Sequence, residues 1–366
     1  MDALMLPLNW QKVRLGDILS YEQPTKFLVA TTQYLQKGFT PILTAGKTFI
    51  LGYTNDKHGI YTNIPVIIFD DFTTDSKMVN FPFKVKSSAI KILSLRDNNQ
   101  ADLKYIYEKL TLLKHQVTDH KRYWIDEFSN FEIPLPPLNE QIAIANILSD
   151  VDRYLYSLDA LILKKESVKK ALSFELLSQR KRLKGFNQNW QKVRLGDILS
   201  YEQPTKFLVA TTQYLQKGFT PILTAGKTFI LGYTNDKHGI YTNIPVIIFD
   251  DFTTDSKMVN FPFKVKSSAI KILSLRDNNQ ADLKYIYEKL TLLKHQVTDH
   301  KRYWIDEFSN FEIPLPPLNE QIAIANILSD VDNEIISLKN KKRQFENIKK
   351  ALNHDLMSAK IRVLKR

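Results

Sequence analysis

The sequence predicts an α+β protein in which two mixed α/β domains are joined and separated by two long antiparallel coiled-coil helices. The first reason is an internal repeat: residues 9–152 recur without a single change at residues 189–332. The second reason is the segment after each copy, where apolar residues recur at steps of three and four, as on one face of an amphipathic helix. Two identical folds in one chain are expected to be related by a pseudo-two-fold axis.

The two helices are predicted to begin after a proline-rich segment at residues 133–138, because proline is excluded from a helix interior. Asn139 is a favourable N-cap, and Glu140 lies in the first turn, where the helix dipole stabilises a carboxylate. The pattern continues to about Gln179, a helix of about 60 Å. The helix that begins near Asn319 can cover its apolar stripe if the pair is antiparallel. The expected contact positions are Val151, Leu155, Leu158, Ile162, Val168, Leu172 and Leu176, and then Val331, Ile335, Leu338, Phe345, Ile348, Leu352 and Leu356.

Within each copy the pattern is that of a globular domain. Residues 65–69, 81–85 and 89–93 have the apolar and β-branched composition of strands. Apolar residues between Leu103 and Leu113 have the spacing of an amphipathic helix. The boundaries that follow are a first domain at residues 1–136, a central helical spacer at 137–185, a second domain at 186–316 and a C-terminal helical spacer at 317–366.

The formal charge of +12 and the pI of about 9.4 suggest a polyanionic partner. However, each repeat contains 16 basic and 16 acidic side chains, so the excess lies outside the repeats. It lies in the two segments that differ between the copies, which we call the first tail (residues 153–188) and the second tail (residues 333–366). These basic tails have two open interpretations: a solvated helix surface, or contacts with phosphate or an acidic partner.

Several classes of function are disfavoured by the sequence. The chain has no cysteine, which excludes disulfides and thiolate metal sites. His58, His115 and His120 lack the spacing of a zinc site. The Asp70-Asp71 pair has no third acidic ligand nearby, so a turn role is favoured over a metal site. We therefore expect no catalytic residue, no metal and no cofactor in this chain. The absence of a signal or membrane-spanning stretch favours a cytoplasmic protein.

Three motifs resemble those of one known family. The sequence PLPPLNEQ at residues 134–141, followed by IANIL at 144–148, resembles the motif that opens the helical region of type I restriction-modification specificity subunits, and it recurs at 314–321. RLKGF at 182–186, followed by LGDI at 195–198, resembles the family's passage from the central helix into its second target-recognition domain. PVIIFDDFTT at 65–74 and KVKSS at 84–88 resemble one branch of those domains.

This resemblance implies a non-catalytic subunit that recognises a bipartite double-stranded DNA site, with one target-recognition domain on each half and the helices as a spacer. It also implies docking of two adenine methyltransferase subunits, which use S-adenosylmethionine, and an ability to recruit restriction subunits. Members of the family usually carry two different domains, whereas this chain carries two identical ones. The implied target is therefore an interrupted palindrome whose half-sites lie about one helical turn apart, roughly 34–36 Å.

Candidate DNA-binding residues are selected from the lysine, threonine, asparagine and tyrosine side chains between residues 23 and 86, because such groups contact base edges and phosphates. In the first copy these candidates are Lys26, Thr44, Lys47, Tyr53, Asn55, Lys57, Thr73, Thr74, Lys77 and Lys86. In the second copy they are Lys206, Thr224, Lys227, Tyr233, Asn235, Lys237, Thr253, Thr254, Lys257 and Lys266.

Two other hypotheses remain open from the sequence. The chain could be a coiled-coil scaffold whose duplicated domains bind protein and do not recognise DNA, because paired basic helices fit that function equally well. It could also be a self-contained restriction or modification enzyme, although AGKT at residues 45–48 lacks the first glycine of a phosphate-binding loop, which would fall at Pro41.

Overall fold

The computed structural model describes residues 7–44, 48–113, 122–224, 228–293 and 302–363. The chain forms two compact units. Unit 1 contains Met1–Asp159 together with Asn340–Arg366, and unit 2 contains Ala160–Lys339. Each unit therefore combines one copy of the repeat with part of both long helices.

The domain of unit 1 contains short strands, short helices and the start of the first long helix. In chain order its elements are β1 (Gln11–Arg14), α1 (Leu15–Ile18), β2 (Leu19–Glu22), β3 (Thr40–Leu43), β4 (Ile50–Thr54), β5 (Val66–Asp70), β6 (Ser76–Val79), β7 (Lys84–Val85), β8 (Ile90–Leu95), α2 (Leu103–Leu110), α3 (Tyr123–Asp126), β9 (Glu132–Leu135) and α4 (Leu138–Leu177).

In its described residues the strands of unit 1 form three sheets, one of which is the antiparallel pair of β1 and β9. An antiparallel sheet has the order β2-β8-β5-β6, and a smaller sheet has the order β4-β3-β7, with β3 antiparallel to β4 and parallel to β7. Strand β5 explains the continuous apolar run at residues 65–69, because both of its faces are buried. Ile67 and Phe69 pack into the core beneath α2 and α3, whereas Val66 and Ile68 pack into a second core beside β7.

The strand predictions are mostly confirmed. The runs at 65–69 and 89–93 correspond to β5 and β8, displaced by one residue at each start. The prediction for residues 81–85 is wrong in length, because only Lys84 and Val85 form a strand and Phe83 makes an isolated bridge to Tyr61. Pro82 has no backbone N–H to donate, which limits pairing on this side.

The predicted helix near Leu103 is confirmed as α2. It begins where the Asp102 carboxylate accepts a hydrogen bond from the backbone N–H of Tyr105 at 2.8 Å. Such a cap satisfies one of the amide groups that the first helical turn leaves unpaired.

The domain of unit 2 repeats this arrangement with the same strand order and register. Its elements are β10 (Gln191–Arg194), α5 (Leu195–Ile198), β11 (Leu199–Glu202), β12 (Thr220–Leu223), β13 (Ile230–Thr234), β14 (Val246–Asp250), β15 (Ser256–Val259), β16 (Lys264–Val265), β17 (Ile270–Leu275), α6 (Leu283–Leu292), α7 (Tyr303–Asp306), β18 (Glu312–Leu315) and α8 (Leu318–Met357).

Both long helices are present, and they begin one residue before the predicted cap. In α4 the carbonyl of Pro137 accepts the first helical hydrogen bond, from Gln141. The Asn139 side chain accepts a hydrogen bond from the backbone N–H of Glu140 at 2.9 Å. The helix then runs for 40 residues, close to the predicted length.

The helices pack antiparallel within each unit. In unit 1 the start of α4 lies against the end of α8: the rings of Tyr154 and Phe345 are 4.5 Å apart, and Lys342 pairs with Asp159 at 2.7 Å. In unit 2 the end of α4 lies against the start of α8 in the same sense, with Lys169 pairing with Asp332 at 2.7 Å. None of the helices in the described part of the chain combines the length and apolar character that a membrane span requires.

The predicted apolar contact positions are only partly correct. Leu158, Ile162 and Leu176 are buried as expected, but Val168 is 46% exposed and Ile348 is 51% exposed. At this level the neighbouring residues Lys169 and Lys349 turn toward the domain and pair with carboxylates there. The contact is ionic at this point, so the apolar side chains at 168 and 348 are left on the outside.

The packing of unit 2 predicts that residues 160–339 fold as an isolated fragment. Leu176 and Leu177 of the first tail belong to the core of its domain. A fragment of residues 189–339 lacks them and should melt at a temperature lower by about 6 °C or more, because burying each leucine contributes about 1.5–3 kcal/mol. Thermal unfolding followed by circular dichroism measures the difference, and equal melting temperatures would show that the tail does not complete the domain.

Candidate nucleic-acid interface

The structure divides the candidate residues of the first domain into three groups. The first group lies at the end of the β3–β4 ribbon where Thr40 pairs with Thr54. It contains Tyr53 on β4, followed by Asn55 and Lys57 in the loop, and Lys26 from the turn before β3. This turn touches the loop: a Cβ atom at Gly59 would lie 2.6 Å from the Lys26 carbonyl oxygen. Gly59 has a φ of +60°, which glycine adopts readily.

The second group lies at the opposite end of the same strand. Thr44 directly follows β3, and the backbone N–H of Lys86 donates to the carbonyl of Leu43 at 3.0 Å. Lys86 is exposed and Thr44 is half-buried. Lys47 and its equivalent Lys227 lie outside the described residues.

The third group surrounds the turn between β5 and β6. Thr73 donates its hydroxyl hydrogen to the Asp70 carboxylate at 2.9 Å, and Thr74 has a φ of 59°. Lys77 is exposed on the edge strand β6, opposite Ile68. The hydroxyl of Thr73 therefore shapes the turn, and Lys77 is the exposed cation of this group.

The second domain places the equivalent residues identically. The first group contains Lys206, Tyr233, Asn235 and Lys237, the second contains Thr224 and Lys266, and the third contains Thr253, Thr254 and Lys257. The candidates are thus not brought together in one cluster, and the first group is the largest of the three.

A buried lysine that the sequence reasoning did not select fixes the loop of the first group. Lys84 donates to the Asp56 carboxylate at 2.6 Å and to the His58 carbonyl at 2.7 Å. The hydrogen bond from Lys84 and the backbone N–H of His58 lower the pKa of Asp56. The sequence feature that could have identified this lysine is its position inside an apolar run. Lys264 holds Asp236 and His238 in the same way in the second domain.

The Asp70-Asp71 pair has the expected turn role. Asp70 accepts a hydrogen bond from the backbone N–H of Phe72 at 2.9 Å. Asp71 forms a buried ion pair with Lys91 at 2.7 Å and accepts from the backbone N–H of Trp124 at 2.9 Å. These bonds attach the end of β5 to β8 and α3.

Where domain and helices meet, buried carboxylates bind cations from the tails. In unit 1 the buried Glu108 pairs with Lys104 at 2.6 Å and with Lys349 of the second tail at 3.2 Å. Asn353 also donates to Glu108, at 3.0 Å. Lys349 lies 2.6 Å from Asp152. Burial by itself raises the pKa of Asp152, but hydrogen bonds from Lys104 and Lys349 outweigh it and lower that pKa.

A second buried carboxylate, Glu140, lies at the start of α4. It accepts hydrogen bonds from the Trp10 indole at 3.2 Å and from the Arg362 guanidinium at 2.6 and 2.9 Å. In unit 2 the equivalent Glu320 accepts from Trp190 at 3.0 Å and from Arg182 at 2.6 and 3.1 Å. The paired geometry of a guanidinium and a carboxylate is among the strongest side-chain contacts.

These contacts give the basic tails a role that neither sequence interpretation included. Lys169 and Arg182 of the first tail bind carboxylates of the second domain or of α8. Lys349 and Arg362 of the second tail do the same in unit 1. Part of the excess positive charge therefore neutralises acidic side chains within the same unit. Several acidic side chains of the neutral repeat are therefore paired with cations of the tails. Lys26 and Lys57 of the first group are, in contrast, exposed on the domain.

The chain thus has two identical mixed domains with exposed lysine-bearing loops, and it has two long helices that pack together. This is the organisation expected of a bipartite DNA-recognition protein. The family model described as the type I restriction modification DNA specificity domain matches the chain twice, at residues 7–165 and 187–347. These matches cover most of the chain. The chain therefore belongs to the family of type I restriction-modification specificity subunits.

Known relatives agree with this assignment. The chain is 33% identical over 349 residues to the specificity subunit of the type I restriction enzyme EcoR124I/EcoR124II from Escherichia coli, covering 87% of this chain and 85% of that protein. It is 24% identical over 412 residues to the MjaVIII specificity subunit of Methanocaldococcus jannaschii, covering 99% and 95%. The crystal structure of a type I S subunit from M. genitalium has the same fold, with a TM-score of 0.66, 18% identity and coverage of 96% and 97%.

Family membership decides between the hypotheses that the sequence left open. The chain is a recognition subunit for a DNA sequence, and it acts with other subunits of a restriction-modification complex. It is neither a protein-binding scaffold without DNA recognition nor a self-contained enzyme. The contacts of the candidate residues with DNA stay predictions.

The carboxylate clusters predict different effects for two adjacent lysines. Lys349→Met removes a cation from the buried Glu108 and should lower the free energy of unfolding of unit 1 by about 1–3 kcal/mol. The loss is smaller than for a buried carboxylate that loses its sole cation, because Lys104 remains paired with Glu108. Lys350→Met is the matched control, because Lys350 is exposed, and its effect should stay within about 0.5 kcal/mol. Urea unfolding of the full chain measures both, and equal effects would contradict the role of Lys349.

Proposed function

We propose that this chain recognises an interrupted palindromic DNA site, one half with each domain, and that it docks two methyltransferase subunits and recruits restriction subunits. The observation that carries the proposal is the exact repetition of residues 9–152 at 189–332 in a member of a DNA specificity family. Identical domains present identical side chains, so both must prefer the same half-site. Related by a two-fold axis, they would read that half-site on opposite strands.

The repeated candidate loops support this proposal. Lys84 and its equivalent Lys264 fix the two loops by the same hydrogen bonds. Preorganised loops lower the cost of ordering side chains on binding, and a copy with the same geometry should read with the same preference. Lys57 and Lys237 would then provide phosphate contacts that set register, while neighbouring side chains read bases.

The outer faces of the helices support docking of two further subunits. Ile142 and Tyr156 are exposed on the part of α4 that belongs to unit 1, and their spacing of nearly four turns places them on one face. Ile322 and Ile336 are exposed at the equivalent positions of α8 in unit 2. Exposed apolar side chains at such a spacing are typical of helix–helix contact sites. One such face in each unit fits two methyltransferase subunits for each chain.

The chemistry of modification would belong to those partners. We infer that S-adenosylmethionine binds to the methyltransferase subunits and that this chain supplies DNA position and orientation, without a cofactor of its own. A cytoplasmic location, where DNA and partner subunits are available, fits this division of work.

Mapping of adenine methylation tests the palindrome. Cells that carry this chain with the methyltransferase subunit of its own system should modify an interrupted palindrome, because two identical readers select the same half-site. Sequencing that detects methylated adenine measures the site directly. As a control, a chain whose second domain is replaced by a target-recognition domain of different sequence should modify an asymmetric site. An asymmetric site for the unaltered chain would contradict the proposal.

A further inference from the structure

An aromatic side chain projects from the first group of candidate residues in each domain. Phe39 is 87% exposed, and its equivalent Phe219 is 86% exposed. Single exposed apolar residues are common on protein surfaces and carry no meaning by themselves. The surroundings of Phe39 distinguish it, because its backbone is fixed while its ring is left in solvent.

Three contacts fix the backbone at Phe39. The Asn55 side-chain oxygen accepts a hydrogen bond from the Phe39 N–H at 3.2 Å. Leu35 and Tyr53 exchange two backbone hydrogen bonds of 2.9 Å each. Gly38 leaves no room for a side chain, because a Cβ atom there would lie 2.9 Å from the Cβ atom of Tyr53. A ring on a rigid backbone loses little entropy when it enters a contact.

The same three contacts occur in the second domain. Asn235 accepts from the Phe219 N–H at 3.2 Å, Leu215 and Tyr233 exchange hydrogen bonds, and a Cβ atom at Gly218 would lie 2.9 Å from that of Tyr233. The main structural role of Asn55 and Asn235 is therefore to position the loop. This adds to the base contact that the sequence suggested for them.

Exposed lysines lie on the same loops as Phe39. Lys37 is exposed two residues before Phe39, and Lys57 is exposed two residues after Asn55. Lys26 is exposed on the turn that touches the same loop. An exposed apolar ring on loops that also carry exposed lysines fits a surface that has anionic edges and an apolar interior. Duplex DNA has that chemistry, with phosphates at the rim of the major groove and thymine methyl groups on its floor.

We propose that Phe39 and Phe219 are base-contacting residues, and that each ring packs against the 5-methyl group of a thymine in one half-site. At the end next to Phe39 the sheet has only the two strands β3 and β4, because β7 pairs with Ile42 and Leu43. The major groove admits a two-stranded ribbon of this kind. Asn55 is the positioning residue of this contact, because it holds the backbone N–H of Phe39. The inference rests on DNA recognition by the chain and names a base for it.

The test uses the full chain and a pool of duplex DNA with randomised sequence. The wild-type chain should select sequences with a thymine at one fixed position in each half-site. The Phe39→Ala/Phe219→Ala variant should lose that preference by about fivefold or more per half-site while the remaining positions are kept. Replacing the selected thymines by deoxyuridine removes only the methyl group. It should weaken binding of the wild-type chain by a similar factor and leave the variant unchanged.

Two controls separate this contact from a general loss of structure. Leu8→Ala removes another exposed apolar side chain and should leave the preference intact. Thermal unfolding of the double variant should match the wild type, and the deoxyuridine measurement on the wild type does not depend on any variant. An unchanged preference in the double variant, or an unchanged affinity of the wild type for deoxyuridine duplexes, overturns the role of Phe39. A wild-type chain that selects no sequence overturns this role and DNA recognition together.

Discussion

The fold depends on buried carboxylates that are balanced by cations from the helical tails. Glu108 and Glu140 are buried in unit 1, and each binds a cation from the second tail. Burying a carboxylate costs free energy that paired cations offset, so the tail stabilises the domain that it covers. This accounts for part of the positive charge of the tails. It also explains why unit 1 contains the two ends of the chain, while unit 2 is continuous in sequence.

The two units are an internal comparison in which the domains are constant and the tails vary. Both tails carry the same cations at equivalent positions, and these cations bind equivalent carboxylates. Lys169 corresponds to Lys349, and Arg182 corresponds to Arg362. These cations are the same in both tails because the carboxylates that they bind are the same in both domains. Positions that face only the other helix are free to differ as long as their partners differ too.

One pair of contacting positions shows how both partners differ together. In unit 1 Tyr154 packs against Phe345, whereas the equivalent positions in unit 2 hold the ion pair of Glu334 with Lys165. Each pair is matched within its own unit. Replacing one tail by a copy of the other would place an aromatic ring beside a charge in both units. The helical contact therefore distinguishes the two tails even though the domains are identical.

The sequence was sufficient for the repeat, the antiparallel helices, most strands and the family, because each depends on local pattern or on long motifs. It was insufficient for the site. The link between Lys84 and Asp56 and the link between Arg362 and Glu140 join residues 28 and 222 positions apart, and no periodicity reports them. Val168 was misplaced for a related reason: three-and-four spacing identifies a helix face, but the adjacent Lys169 is drawn to a carboxylate of the domain.

The most direct test of the tail as part of the domain is a double-mutant cycle between Glu140 and Arg362 in the full chain. The variants Glu140→Gln, Arg362→Gln and the double variant are compared with the wild type by urea unfolding. We expect a coupling free energy of about 1.5 kcal/mol or more, because the pair is bidentate and its carboxylate is buried. Additive effects within about 0.3 kcal/mol would contradict the account.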